Sequence, residues 1–113
     1  MAKRIVIVGA GPGGLTAGMI LAHRGFDVTV FEKDERIGGR NQSLQLGPYT
    51  FDLGPTFLMM KYILDEVFSQ AGRRAENYFD SYVLDPMYRL NFGDFALDIT
   101  TDRARLKDAI RGV

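Results

Sequence analysis

The sequence has no cysteine, which excludes a disulfide framework, a thiolate zinc or iron–sulfur site and a redox-active cysteine pair. Any redox chemistry must therefore come from a bound cofactor. Histidine is nearly absent too: the single His23 rules out a multi-histidine metal site and a Ser-His-Asp triad built elsewhere, so no metal ligands are assigned. Neither sign of charge is in excess. With 14 basic and 14 acidic side chains, a net charge of zero and a pI near 6.6, the chain lacks the basic footprint of a nucleic-acid binder. No apolar run approaches the roughly 18 residues that cross a bilayer, and Met1 to Arg4 leads into a strand with no space for a signal peptide. The sequence reads as cytoplasmic.

What is present is ordinary globular material, 46% hydrophobic and 25% charged over 113 residues, enough for one modest core and too little for two independent domains. Arg4 to Val8 is a β-branched run that predicts a strand buried on both faces of a parallel sheet. Gly9 to Gly14 reads Gly-Ala-Gly-Pro-Gly-Gly, and Leu15 to Arg24 predicts a helix stopped by Gly25. Asp27 to Phe31 is again strand-like and ends in Glu32-Lys33, which completes a βαβ unit with a right-handed crossover. Lys33 to Arg40 is a polar loop carrying Gly38-Gly39. Ser43 to Leu46 and Tyr49 to Leu53 alternate around Gly47-Pro48 as a hairpin.

From Thr56 to Ala71 the apolar positions Met60, Ile63, Leu64, Val67, Phe68 and Ala71 predict an amphipathic helix, with Lys61, Asp65 and Gln70 on its polar face and Gly72 beyond its end. The stripe of Phe57, Met59, Met60 and Ile63 is read as core. Tyr82 to Leu84 is a candidate strand stopped by Asp85-Pro86. Tyr88, Leu90, Phe92, Phe95, Leu97 and Ile99 alternate around Gly93-Asp94, a two-residue hairpin turn that pairs Phe92 with Phe95 and Leu90 with Leu97. All six fall on one face, which a two-stranded ribbon cannot cover. Thr100 and Thr101 are candidate caps of a last helix running to Arg111, with Asp102, Arg103 and Lys107 on its exposed face. Tyr78, Asp80, Tyr82 and Asp85 form no acid–base pair and read as surface or packing residues. His23, late in the first helix, complements that helix's carboxyl end.

The chemical signal is Gly9-x-Gly11-x-x-Gly14 between a strand and a helix, with an acid at the end of the next strand. Gly9 permits the tight turn, Gly11 lets backbone approach a pyrophosphate, and Gly14 with Ala17 allows close helix–strand packing. The helix amino end favours the phosphate charge, and Pro12 fits where an N–H would lack a partner. Glu32, about 18 residues after Gly14, is placed to accept from a ribose 2′-hydroxyl and to repel a 2′-phosphate, which disfavours NADP. The pattern points to an ADP-containing dinucleotide. Arg36 and Arg40 flank the Gly38-Gly39 pair, where N–H groups and a guanidinium can meet phosphate oxygens a second time.

From Ile5 through Glu32 to Gly38-Gly39-Arg40 the sequence resembles the N-terminal FAD-binding segment of the flavin amine oxidase superfamily, which includes phytoene desaturases and protoporphyrinogen oxidases. Phe51-Asp-Leu-Gly-Pro-Thr56 with Phe57-Leu-Met-Met60 narrows the resemblance to bacterial-type phytoene desaturases and related carotenoid desaturases. The resemblance runs from about Ile5 to about Gly72; Tyr82 to Ile99 is similar only in outline to the start of that family's substrate domain. It implies an α/β fold, a partial Rossmann-like βαβ FAD-binding domain with added β-hairpins, over residues 1–113. It also implies pyrophosphate contacts at Gly9, Gly11, Pro12, Gly13 and Gly14, ribose contact at Glu32 with Lys33 beside it, Gly39 and Arg40 toward the pyrophosphate and flavin, and Gly54, Pro55 and Thr56 at the isoalloxazine.

In such enzymes the flavin accepts the hydride equivalent, and no catalytic acid or base is assigned here. A complete enzyme of that family is much longer, so the sequence reads as an N-terminal fragment, inactive alone. It is expected to self-associate or to pair with a missing C-terminal half, to meet an apolar carotenoid-like substrate only in a complete enzyme, and to contact a membrane surface. Alternatives are an enzyme acting on amines or porphyrinogens, and a non-catalytic module that binds FAD or NAD and self-associates.

Overall fold

The computed structural model describes residues 1–112, which divide into two compact units, Met1–Phe79 and the part from Asp80 onward.

In the first unit, strand β1 (Arg4–Val8) lies parallel to β2 (Asp27–Phe31), in a register that sets Arg4 opposite Asp27 and Val8 opposite Phe31. The crossover between them is helix α1 (Pro12–His23). It begins three residues before Leu15 because Pro12, with its fixed φ and missing N–H, suits the first helical position. Gly25 ends it as expected, at φ +86° with its N–H donated to the Ala22 carbonyl. Gly18 is buried against the sheet, where a Cβ would stand 3.4 Å from Val30 and 3.5 Å from Ile7.

The expectation that β1 is buried on both faces is corrected. Ile5 and Ile7 face α1 and are half-buried, whereas Val6 and Val8 are 63% and 87% exposed. One helix covers one face of a strand, and successive side chains alternate between faces.

A 3-10 turn (Gly39–Asn41) leads to the antiparallel hairpin of β3 (Ser43–Leu46) and β4 (Tyr49–Asp52), closed through Gly47 at φ +58°. Leu53 still donates to the Gln42 carbonyl at 3.0 Å, which extends the pairing beyond the strand ends.

Helix α2 is Lys61–Gln70, five residues shorter at its start than the expected helix from Thr56. The apolar periodicity begins only at Met60, so Thr56 to Met59 have no helical face to bury. The Phe57, Met59, Met60 and Ile63 stripe is accordingly not core: these side chains are exposed. Leu64, Val67 and Phe68 are the half-buried side of α2, Lys61 pairs with Asp65 at 2.7 Å, and Gly72 at φ +66° stops the helix. After it the chain folds back so that Phe68 packs on Tyr78 and Phe79, with ring centroids 5.2 and 6.2 Å away. A Cβ at Gly72 would stand 2.5 Å from the His23 ring, so His23 also packs against the end of α2.

In the second unit, Tyr82 to Leu84 is not a strand: these residues are exposed and pair with no other strand among the described residues. β5 (Tyr88–Asn91) and β6 (Ala96–Ile99) form the expected hairpin, with Leu90 opposite Leu97 and Phe92 donating to Phe95 at 2.9 Å. The Phe92 and Phe95 rings stack at 4.7 Å. Arg89 binds Asp98 bidentately, at 2.6 and 2.8 Å, and the guanidinium holds the Asp98 carboxyl below its usual range.

Helix α3 (Arg103–Arg111) is capped by Asp102, whose carboxylate accepts from Ala104 N–H at 2.9 Å and Arg105 N–H at 3.1 Å. This corrects the expectation of a Thr100 or Thr101 cap; Asp102 is exposed as expected, and is itself the cap. Thr100 is buried, and its hydroxyl accepts from the Asp102 N–H one step earlier. Asp85 is likewise more than a surface residue. It receives Arg105 at 2.7 Å, and the Thr100 hydroxyl and Arg105 together hold its carboxyl below the ordinary range. Among the described residues no helix is long and apolar enough to cross a membrane.

Candidate functional site

Leaving β1, the chain makes its first turn at Gly9, which has φ +99° and donates its N–H to the Phe31 carbonyl at 2.7 Å. This bond carries the parallel ladder one step past the strand ends and brings the tip of β2 against the glycine loop. At Ala10 both backbone groups are taken: the N–H donates to Glu32 Oε2 at 2.6 Å, and the carbonyl accepts from Gly38 N–H at 2.8 Å. The Ala10 side chain is buried. Three stretches of chain thus meet at one residue.

Gly11 is extended, at φ −75° and ψ 177°, and α1 starts from it with no side chain bonded to its first N–H groups. The amides of the first turn are left for solvent or an anion, on the positive end of the helix dipole. Space is graded along the loop. A Cβ at Gly11 or Gly13 would meet nothing within 4 Å, whereas one at Gly14 would stand 2.0 Å from the Gly9 carbonyl oxygen. Gly11 and Gly13 thus border open space, and Gly14 allows the helix to sit on the turn.

Glu32 closes the far side. It is half-buried, and besides Ala10 its carboxylate accepts from Lys33 N–H at 2.8 Å and Asp34 N–H at 3.1 Å, both on Oε1. The Ala10 amide is the largest cause holding the carboxyl below its usual range, with the Asp34 amide next. Lys33 brings its backbone to this cluster, while its ammonium pairs with Asp34 at 3.1 Å.

The second glycine segment packs directly on the first. Gly39 has φ +55°, and a Cβ on it would lie 3.2 Å from the Gly11 Cα. Arg40 follows with its side chain exposed and in no ion pair among the described residues. Gly54 sits against the backbone of Arg40, where a Cβ would stand 2.0 Å from the Arg40 carbonyl oxygen. Arg36 is turned to structural use: it donates to the Ser43 carbonyl at 3.3 Å and accepts from the Gln42 side chain at 2.7 Å through its own carbonyl.

The residues singled out in the sequence therefore separate into two groups. Gly9, Gly11, Pro12, Gly13, Gly14, Glu32 and Gly39 form one continuous wall, with Arg40 at its margin. Gly54 is joined to it through Arg40, while Pro55 and Thr56 are exposed loop residues before α2, with no hydrogen bond to the glycine loop. Sequence reasoning missed Ala10, Gly38 as a donor to it, and Gly18 as the small residue beneath α1. The spacing of Gly14 and Gly18, one helical turn apart, was a signal for the last; nothing in the residue types marked Ala10.

A family profile described as an NAD(P)-binding Rossmann-like domain matches residues 7–70, the stretch that contains this wall. The chain is also similar to a 4,4'-diapophytoene desaturase (4,4'-diapolycopene-forming) of Methylomonas sp, 49% identical over 98% of this chain and 22% of that protein. A zeta-carotene-forming phytoene desaturase of Myxococcus xanthus is 51% identical over 81% of this chain and 18% of its own. A 4,4'-diapophytoene desaturase (4,4'-diaponeurosporene-forming) of Staphylococcus haemolyticus is 38% identical over 94% and 21%. The chain spans about a fifth of the length of these relatives and matches their N-terminal portion. With its parallel βαβ unit, glycine turn and strand-end acid matched over residues 7–70, the chain belongs to the family of NAD(P)-binding Rossmann-like domains.

Proposed function

We propose that the chain is the FAD-binding portion of a flavin-dependent carotenoid desaturase. The observation that carries this reading is the contact of Gly39 with Gly11, which sets two phosphate-facing glycine segments side by side instead of one. Gly9, Gly11, Pro12, Gly13 and Gly14 hold the pyrophosphate through the amides of the first helical turn. Glu32 accepts from the adenosine ribose with the lone pairs that its three backbone donors leave over. Gly39 and the Arg40 guanidinium lie toward the pyrophosphate and flavin, and Gly54, Pro55 and Thr56 toward the isoalloxazine.

When bound, the flavin supplies acceptance of a hydride equivalent. The chain's own residues bind and orient it, and the open space at Gly11 and Gly13 fits a group that approaches backbone closely. The part from Asp80 begins the substrate domain, and its apolar hairpin face meets further polypeptide or a second copy. Turnover of an apolar polyene needs that further polypeptide to enclose the substrate. We place the complete enzyme on the cytoplasmic side, at a membrane surface where such a substrate dissolves.

The test is a visible spectrum of the purified chain after incubation with FAD and desalting, beside a Gly11→Glu variant. Flavin retained by the parent and lost by the variant is the expected result. A folded parent that keeps no flavin, yet binds ADP, overturns the FAD assignment in favour of a bare nucleotide module.

A further inference from the structure

The Glu32 carboxylate is engaged by the chain's own backbone. Its two oxygens face three backbone N–H donors, Ala10 on one side at 2.6 Å and Lys33 and Asp34 on the other at 2.8 and 3.1 Å. An acid is the side chain that this environment demands, since both ends must accept and neither can donate. Glutamine is nearly identical in shape and does not satisfy it: whichever way its amide is turned, an NH2 group faces an N–H group. Aspartate keeps the charge but is one methylene too short to reach Ala10 while staying bonded to Lys33 and Asp34.

Ala10 is the residue between the two glycines that make the turn, and its other backbone group is fixed by Gly38. Releasing its N–H from Glu32 therefore loosens the link between the glycine loop and the end of β2. We infer that Glu32 is a positioning residue, which holds the glycine loop in its nucleotide-receiving shape through the Ala10 amide, separately from any contact with ribose. The inference rests on the dinucleotide reading only for its binding consequence; the latch itself is the bond from Ala10 N–H to the Glu32 carboxylate.

Two measurements on the full chain test it. The first is amide hydrogen exchange without ligand, in the parent and in Glu32→Gln. Exchange at Ala10 is expected to accelerate at least tenfold in the variant, with the Ile7 amide in β1 unchanged. The second compares binding of ADP and of 2′,3′-dideoxy-ADP, which offers no ribose hydroxyl to Glu32. A residue that serves only the ribose leaves the affinity for the dideoxy nucleotide untouched when it is replaced. The latch predicts that Glu32→Gln weakens dideoxy-ADP binding about tenfold and weakens ADP binding further.

Unchanged Ala10 exchange together with unchanged dideoxy-ADP affinity overturns the inference. If the parent binds neither nucleotide, the dinucleotide reading fails and Ala10 exchange alone decides the latch. Should Glu32→Gln not fold, as accelerated Ile7 exchange would reveal, Glu32→Asp takes its place. That variant retains the charge and is expected to free Ala10 all the same, whereas Ala10 protection kept in Glu32→Asp counts against the inference.

Discussion

Gly14 and the carbonyl of Gly9 are so close that a single added carbon at Gly14 would stand 2.0 Å from the Gly9 oxygen. Both atoms belong to backbone held in place, one by α1 and the other by the bond from Gly9 N–H to Phe31. Neither can step aside cheaply. Gly14→Ala is expected to destabilise the chain by about 1–3 kcal/mol or more, read as a lower urea midpoint. Gly13→Ala has open space and a helical position, so it should stabilise by about 0.5–1 kcal/mol while weakening nucleotide binding. If the two variants lose stability equally, the packing described for this turn is wrong.

Gly54 stands in a similar relation to Arg40. Gly54→Ala pushes its new methyl against the Arg40 carbonyl and should displace the segment that carries Gly39. We expect a cost of about 1–3 kcal/mol, with FAD affinity reduced about tenfold, measured by urea unfolding and flavin titration. An unchanged affinity would detach Gly54 from the site.

Acid should act through Glu32 with a definite sign. Its folded carboxyl titrates below the ordinary glutamate value of about 4.3, so the stability it contributes is complete above that value and is lost as pH falls through the lower folded one. A carbon-13 titration of the Glu32 carboxyl should give a midpoint below that of an unstructured peptide. A midpoint at or above the peptide's would contradict the three-amide environment.

In the second unit, the cap of α3 is testable by itself. Asp102→Ala removes the acceptor for Ala104 and Arg105 and should cost about 1 kcal/mol, seen as lost helical circular dichroism and a lower midpoint for that unit. Thr101→Ala should change neither. The reverse ranking would restore the threonine cap.

Much of this was legible in the sequence where the deciding interactions are local. The Gly9 to Gly14 turn, the β1–α1–β2 unit and the Gly93-Asp94 hairpin follow from the spacing of a few residues, and they form as expected. Choices between equivalent local options were not legible. Thr100, Thr101 and Asp102 are all good caps by type; Thr100 is buried, and only Asp102 stands where its carboxylate reaches the Ala104 and Arg105 amides. Tyr82 to Leu84 has strand composition but finds no partner strand, and Val6 and Val8 look like core until one counts the helices available to cover them. At the site, the glycines and Glu32 carry visible signatures, whereas Ala10 acts through its backbone alone, which residue type does not encode.

The meeting of three stretches at Ala10 also bears on the order of events in synthesis. Every tie that shapes the wall, from Gly9 to Phe31, Ala10 to Glu32 and Gly38, Gly11 to Gly39, and Arg40 to Gly54, joins residues within about thirty positions of each other, so each closes a loop of bounded length. None of them waits for residues beyond Gly54. All the residues that tie the wall together are therefore present on a nascent chain once Gly54 has been translated, before α2 and the second unit exist.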